Sequence, residues 1–196
     1  MSPSISPRTK RVTRRALLAQ RDALSEAERA ARSAKIAEAV DALLEENAEE
    51  DLGVVALYAA KGSEVDTAAI DAAVRARGLT VAYPRVIGDA TALAFHAVRI
   101  DELVLAGFGL REPRPDAPAV DLLQIGVFFV PGLAFDRAGG RIGWGRGHYD
   151  VTLAASPAAW RVGLAYDFQV VDEVPREAHD TLLHTIITEV TTYQVA

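Results

Sequence analysis

The 196-residue sequence predicts an α/β protein of three layers, αβα, with a mainly parallel sheet covered by helices on both faces and an N-terminal helical pair. Three observations carry that prediction. Apolar runs of strand length alternate with helical patterns, the signature of β–α units and parallel pairing. The strongest runs, 53–60 and 125–130, are apolar at nearly every position, so they fit strands buried on both faces. Half of the residues are hydrophobic and 24% are charged, enough for a chain of this size to bury a substantial core.

The elements follow in order. Residues 1–9 are expected to be disordered; the opening stretch lacks the apolar core of a secretory signal. Residues 10–46 read as two helices. The first carries Val12, Ala16, Leu17 and Leu24 among basic residues. The second opens at Ser25, with Glu28 at capping-box spacing, and continues through Ala30, Ala34, Ala37, Val40 and Leu44. After the strand at 53–60, Asp66 caps a helix over 67–77, with Gly78 at its C-terminal side. Strands are expected at 79–83, stopped by Pro84, and at 92–98. Asp101 begins a short helix, and a proline-rich stretch follows. Pro131-Gly132 ends the strand at 125–130, and a glycine-rich loop leads to a helix near His148. Further strands are expected at 160–166 and, at the sheet edge, 185–191. No repeat or linker divides the chain, so one domain is expected. Ligands of such sheets bind at the carboxyl ends of strands, which directs attention to residues 58–66, 84–85 and 131–150.

Composition excludes several chemistries. The chain has no cysteine, hence no disulfide, iron–sulfur cluster, thiolate zinc site or thiol nucleophile. No apolar run reaches the roughly 18 residues of a membrane span. A cytoplasmic protein without membrane or nucleic-acid partners is expected, and a monomer. The net charge of −6 hides a split: residues 8–35 hold nine basic and three acidic residues, a net of +6.

Residues 139–147 contain five of the 14 glycines, together with Arg141 and Arg146. Glycine lets backbone N–H groups approach an anion closely, and arginine adds planar donors suited to phosphate oxygens. The run Gly143-Trp144-Gly145-Arg146-Gly147 is therefore a candidate polyphosphate cradle; a flexible surface turn is the plainer alternative. It is not a Walker A loop, because the only lysines are Lys10, Lys35 and Lys61. Nor is it a dinucleotide fingerprint, since His148 stands where the third glycine belongs. Asp136 reads as a turn residue bonding its own backbone. Asp150 reads either as a helix cap or as an oxygen ligand for Mg²⁺.

The run from Val130 through Asp136, followed by the Gly-x-Arg-x-Gly-x-Gly-x-Gly-x-Tyr-Asp pattern ending at Asp150, resembles the signature of the 5-formyltetrahydrofolate cyclo-ligase (5,10-methenyltetrahydrofolate synthetase) family. Lys10 and Arg14 resemble its opening basic motif, and Arg21, Leu24-Ser25 and Glu28-Arg29 its first-helix pattern. Tyr58 with Glu64 to Thr67, then Pro84-Arg85, Glu112-Pro113, Gln169 and His179-Asp180, follow in the family's order. The resemblance implies an ATP- and Mg²⁺-dependent ligase that converts 5-formyltetrahydrofolate to 5,10-methenyltetrahydrofolate. It implies ATP contacts from Lys10, Arg14, Arg141, Gly143, Trp144, Gly145, Arg146, Gly147, His148 and Tyr149, with Lys10, Arg14 and Arg146 catalytic. Folate contacts would come from Ala59, Glu64, Tyr149 and Phe108, the last with core packing as its alternative role. Asp150 would hold the metal.

Three residues depart from the family pattern. His148 replaces a tyrosine, Val151 an arginine, and His184 stands near where an acid assists Mg²⁺. Two other readings stay open: a related Mg-ATP enzyme acting on another N-formyl or pterin compound, and a non-enzymatic sugar-phosphate or nucleotide sensor.

Overall fold

In the computed structural model, residues 7–50, 52–88, 91–177 and 180–195 are described. The two N-terminal helices form as the sequence predicts: α1 spans Pro7–Asp22 and α2 spans Glu26–Glu46. Of the nine residues expected to be disordered, 1–6 lie outside the described residues, while 7–9 are the first turn of α1. Ser25 completes both halves of its capping box. Its hydroxyl accepts from Glu28 N at 3.2 Å, and Glu28 Oε2 accepts from Ser25 N at 2.8 Å. Ser25→Ala is therefore expected to cost about 1 kcal/mol, read as a fall of about 2–4 °C in the thermal midpoint for a chain of this size.

The strands are β1 (Val54–Ala56), β2 (Thr80–Arg85), β3 (Ala94–Ala97), β4 (Val104–Leu105), β5 (Arg111–Glu112), β6 (Ala119–Val120) and β7 (Ile125–Val130). There follow β8 (Ala134–Asp136), β9 (Arg141–Ile142), β10 (Trp160–Leu164), β11 (Val170–Val171), β12 (Thr185–Ile187) and β13 (Thr192–Gln194). The remaining helices are α3 (Ala68–Ala76) and α4 (His148–Ala154). The central sheet has the order β13-β12-β10-β7-β1-β2-β3-β6. Its five inner strands, β12 to β2, pair in parallel; β13, β3 and β6 add antiparallel edges.

Burial explains why the strongest strands are apolar throughout. Val127 and Phe129 pack with Ile36, Val40 and Leu44 of α2 and Ile70 and Val74 of α3 on one face. Phe128 and Val130 pack with Leu153 of α4, Phe95 and Ile186 on the other. Helix α3 ends as expected: Gly78 has φ +76°, and the bonds Gly78 N to Arg75 O and Leu79 N to Val74 O close a Schellman motif. Asp66 Oδ1 accepts from Ala68 N at 3.0 Å at the start of that helix.

Several boundaries differ from expectation, each for a tertiary reason. The strand expected at 53–60 stops at Ala56. Beyond it, Tyr58 O accepts from Thr67 Oγ1 at 2.7 Å and the Tyr58 hydroxyl donates to Val65 O at 3.0 Å, turning the chain out of the ladder. Pro84 does not stop β2. The pairing of β2 with β1 ends at Ala82, so a residue without an N–H is tolerated there while the β3 register continues through Arg85. The segment 185–187 is not an edge, because β13 pairs outside it. Part of the glycine-rich segment is strand: β9 pairs with β8 in a small sheet of order β11-β8-β9, against which Leu17 of α1 packs.

Strand β1 leads through α3 to β2 on one side, while β7 lies on its other side. The strand order therefore reverses between β1 and β7, and a crevice is expected at their carboxyl ends.

Candidate active site

A cavity of about 740 Å³ opens at that reversal, within the roughly 300–1,000 Å³ typical of small-molecule sites. All three strand-end segments singled out by the sequence reach it: Tyr58, Ala59 and Glu64 after β1, Pro84 and Arg85 at the end of β2, and Pro131 after β7.

The glycine loop is held at both ends. Its entry is β9, whose Ile142 carbonyl accepts from Leu133 N at 2.7 Å, and its exit is α4. Arg141 Nη2 and Asp150 Oδ1, 2.7 Å apart, close the base of the loop. The Arg141 side chain is only 5% exposed and also lies over the Tyr149 ring, with Cζ 5.6 Å from the centroid. Arg14 of α1 donates from Nε to Gly143 O at 2.9 Å. Gly145 has φ +89°, and a Cβ there would lie 3.1 Å from Arg14 Nη2. The loop's tight path against Arg14 thus depends on glycine at this position. Arg146 and Gly147 are exposed on the cavity rim.

His148 Nδ1 lies 2.8 Å from the Thr91 carbonyl. A carbonyl only accepts, so the Nδ1 atom carries the proton. Its buried Nε2 has no hydrogen-bond partner among the described residues.

Glu64 is fixed from two sides. Lys61 N donates to Oε2 at 3.0 Å, and Trp144 Nε1 donates to Oε1 at 3.2 Å. Burial, followed by the Glu64 charge, pushes the hydroxyls of Tyr58 and Tyr149 up from their ordinary values, so both remain neutral donors. Lys10 binds Glu177 at 2.9 Å and Asp180 at 3.3 Å. Burial opposes the Lys10 charge, but its bond to Glu177 and the charge of Asp180 outweigh it and hold the ammonium above its ordinary range.

Asp150 is in the first turn of α4 rather than at its cap, which is Gly147. Its Oδ1 also faces Thr181 N at 3.4 Å, bringing the segment with Glu177 and Asp180 beside the loop. Among the described residues no group of three or more His, Asp or Glu could by itself enclose a metal. The donor set fits an ion that takes one or two carboxylates and completes its shell with phosphates and water, the habit of Mg²⁺. Asp136 is the buried turn residue expected: Oδ1 accepts from Ala138 N and Gly140 N at 3.0 and 2.8 Å, and Oδ2 from Val174 N at 2.9 Å.

Lys10, Arg14, Ala59, Glu64, Arg141 and residues 143–150 thus share one cavity. The Phe108 side chain and His179 lie outside the described residues, although Gly107 and Leu110 line the cavity. His184 is corrected. It precedes β12, at the amino end of the strands, where its Nδ1 accepts from Arg161 N at 3.2 Å. It does not line the cavity, and burial and the Arg161 charge lower its pKa. His96 is buried as expected, with Nδ1 2.9 Å from Ala117 O, but its Nε2 has no partner among the described residues. Sequence reasoning missed Lys61 and Glu177. Lys61 is one of three lysines and follows a strand end, a usable signal; Glu177 carried none.

The model of the 5-formyltetrahydrofolate cyclo-ligase family matches residues 6–189. A 5-formyltetrahydrofolate cyclo-ligase of Mycolicibacterium smegmatis is 34% identical over 190 residues, covering 94% of this chain and 95% of that protein. The solved structure of 5,10-methenyltetrahydrofolate synthetase from Aquifex aeolicus aligns with a TM-score of 0.81 at 31% identity, covering 95% of this chain and 92% of the other. That of a Mycoplasma pneumoniae 5,10-methenyltetrahydrofolate synthetase aligns with a TM-score of 0.75 at 25% identity, covering 92% and 98%.

Proposed function

Because this chain belongs to the 5-formyltetrahydrofolate cyclo-ligase family, we propose that it closes 5-formyltetrahydrofolate to 5,10-methenyltetrahydrofolate with ATP as phosphoryl donor. The observation that carries this reading is the meeting of α1, the loop after β1 and the glycine loop on one cavity at the strand-order reversal. Cationic groups from α1 and the glycine loop face a carboxylate held by two hydrogen bonds, which suits a polyphosphate beside a pterin with N–H donors.

In the proposed reaction the formyl oxygen attacks the γ-phosphorus and ADP leaves. The resulting iminium phosphate is attacked at carbon by N10. N10 loses its proton, the carbon–oxygen bond to phosphate breaks, and the methenyl bridge forms. Both reacting atoms belong to the substrates, so the protein contributes positioning and charge stabilisation. Arg14, Arg141 and Arg146 would receive phosphate oxygens. Lys10, held by Glu177 and Asp180, would turn its ammonium to the same charge. Glu64 and Ala59 would seat the pterin, with Tyr149 closing over it. When bound, Mg²⁺ supplies charge neutralisation at the phosphates; Asp150 would hold it, with Asp180 the neighbouring carboxylate.

The decisive experiment is turnover of 5-formyltetrahydrofolate with ATP, with and without Mg²⁺, following methenyl product and ADP together. Absence of product at saturating ATP and Mg²⁺ overturns the proposal. Lys10→Ala is expected to raise the ATP KM by about tenfold, the scale of one charge-assisted phosphate contact. Unchanged ATP kinetics in the folded variant would remove Lys10 from the site.

A further inference from the structure

Arg21 is a charged side chain only 2% exposed. It ends the helix face that carries Lys10, Arg14 and Leu17, at spacings of four, three and four residues. Among the described residues no carboxylate lies within ion-pair distance of it. Its donors go instead to neutral atoms: Nε to Ser63 Oγ at 3.1 Å and Nη1 to the Gly132 carbonyl at 3.3 Å. Ser63 follows β1 and Gly132 follows β7, so the guanidinium bridges the two carboxyl ends between which the strand order reverses. Ser63 Oγ accepts from Arg21 while donating to Asp22 Oδ1, which links the buried charge to a neighbouring carboxylate. A buried cation held by neutral acceptors is unfavourable relative to an apolar side chain of similar length. Its position therefore calls for a role beyond filling space.

That role is visible in what Arg21 touches. Its Cζ lies 6.0 Å from the centroid of the Trp144 ring, within the range of a cation–π contact. Trp144, otherwise 54% exposed, donates from Nε1 to Glu64 Oε1. Arg21 thus holds both partners of one hydrogen bond: the Trp144 ring directly, and Glu64 through the adjacent Ser63. We propose that Arg21 is a positioning residue that keeps the Glu64–Trp144 contact closed beneath the folate, so that Glu64 meets the pterin in one orientation. The inference rests on reading Glu64 as the folate carboxylate.

The test uses a Trp160→Phe background, which leaves Trp144 as the sole tryptophan. Arg21→Met, Arg21→Lys and Ser63→Ala are compared by acrylamide quenching of Trp144 without substrates, and by the separate KM values for 5-formyltetrahydrofolate and ATP. In Arg21→Met, quenching is expected to rise and the folate KM to increase about tenfold, the scale of a misplaced binding group, with a smaller rise of about two- to threefold in the ATP KM because the released Trp144 is itself a residue expected at ATP. Arg21→Lys should recover part of the folate KM, and Ser63→Ala should move both readouts in the same direction as Arg21→Met. Unchanged quenching and folate KM overturn the proposal, as does a proportional rise of both KM values. Should Arg21→Met not fold, Ser63→Ala decides by the same criteria. If the parent enzyme does not turn over 5-formyltetrahydrofolate, the folate reading fails, while the quenching comparison still judges the Arg21–Trp144 contact.

Discussion

Asp150→Asn is expected to lower kcat/KM by about 10²- to 10³-fold, the loss seen when one electrostatic stabiliser of a developing charge is removed. The substitution keeps the side chain's size, so packing around α4 is preserved. It removes the anionic partner of Arg141, now 2.7 Å away with its own side chain 5% exposed. It also removes the carboxylate proposed to hold Mg²⁺. Two consequences separate these roles. Residual activity should require a higher Mg²⁺ concentration, and stability in urea should fall by about 1–3 kcal/mol, the scale of a lost hydrogen bond to a charged group. Wild-type Mg²⁺ dependence in Asp150→Asn would show that the metal is held elsewhere.

Arg14→Ala is expected to have an effect of similar size, about 10²- to 10³-fold in kcat/KM for ATP, through positioning as well as charge. Arg14 Nε holds the Gly143 carbonyl at 2.9 Å, and its guanidinium lies against the backbone at Gly145. Truncation frees the loop that α1 now restrains and removes a cation from its inner wall. Arg14→Lys keeps the charge without the planar donor at that angle, so it should recover only part of the loss. The folate KM should rise less than the ATP KM, because Glu64 keeps its bond from Lys61 N and Ser63 keeps its bond from Arg21 when the loop carrying Trp144 is freed. Steady-state titration of each substrate tests this. ATP kinetics matching the wild type would remove Arg14 from the phosphate site.

Much of this site is legible in the sequence because its chemistry lies in short, ordered segments. The glycine loop, Arg141 and Asp150 fall within ten residues, and the rule of strand carboxyl ends pointed to segments 58–66, 84–85 and 131–150, each of which contributes residues to the one cavity. Local rules also served the helices well: the capping box at Ser25 and the glycine after α3 are interactions between residues a few positions apart. They failed where pairing is long-range. Strand β9 looked like loop because its partner β8 is reached by folding back, and Pro84 looked like a strand end because it lacks an N–H, which is tolerated only because the pairing with β1 has already ended. His184, a departure near the position where the family pattern has an acid, precedes a parallel strand and so sits at the end of the sheet opposite the cavity.

The sequence alone determined the class of fold and the family, and it picked out the glycine-rich stretch that lines the cavity, since each depends on residue type and spacing along the chain. Only the tertiary structure decided which charges are shared. Lys10 meets Glu177 across 167 residues, and Arg21, one basic residue among nine in its segment, is drawn into the interior to bridge the ends of β1 and β7. The physical reason is that burial and ion pairing depend on which surfaces the topology brings together. Residues spaced alike on one helix face can therefore end in solvent, at a cavity wall or beneath its floor.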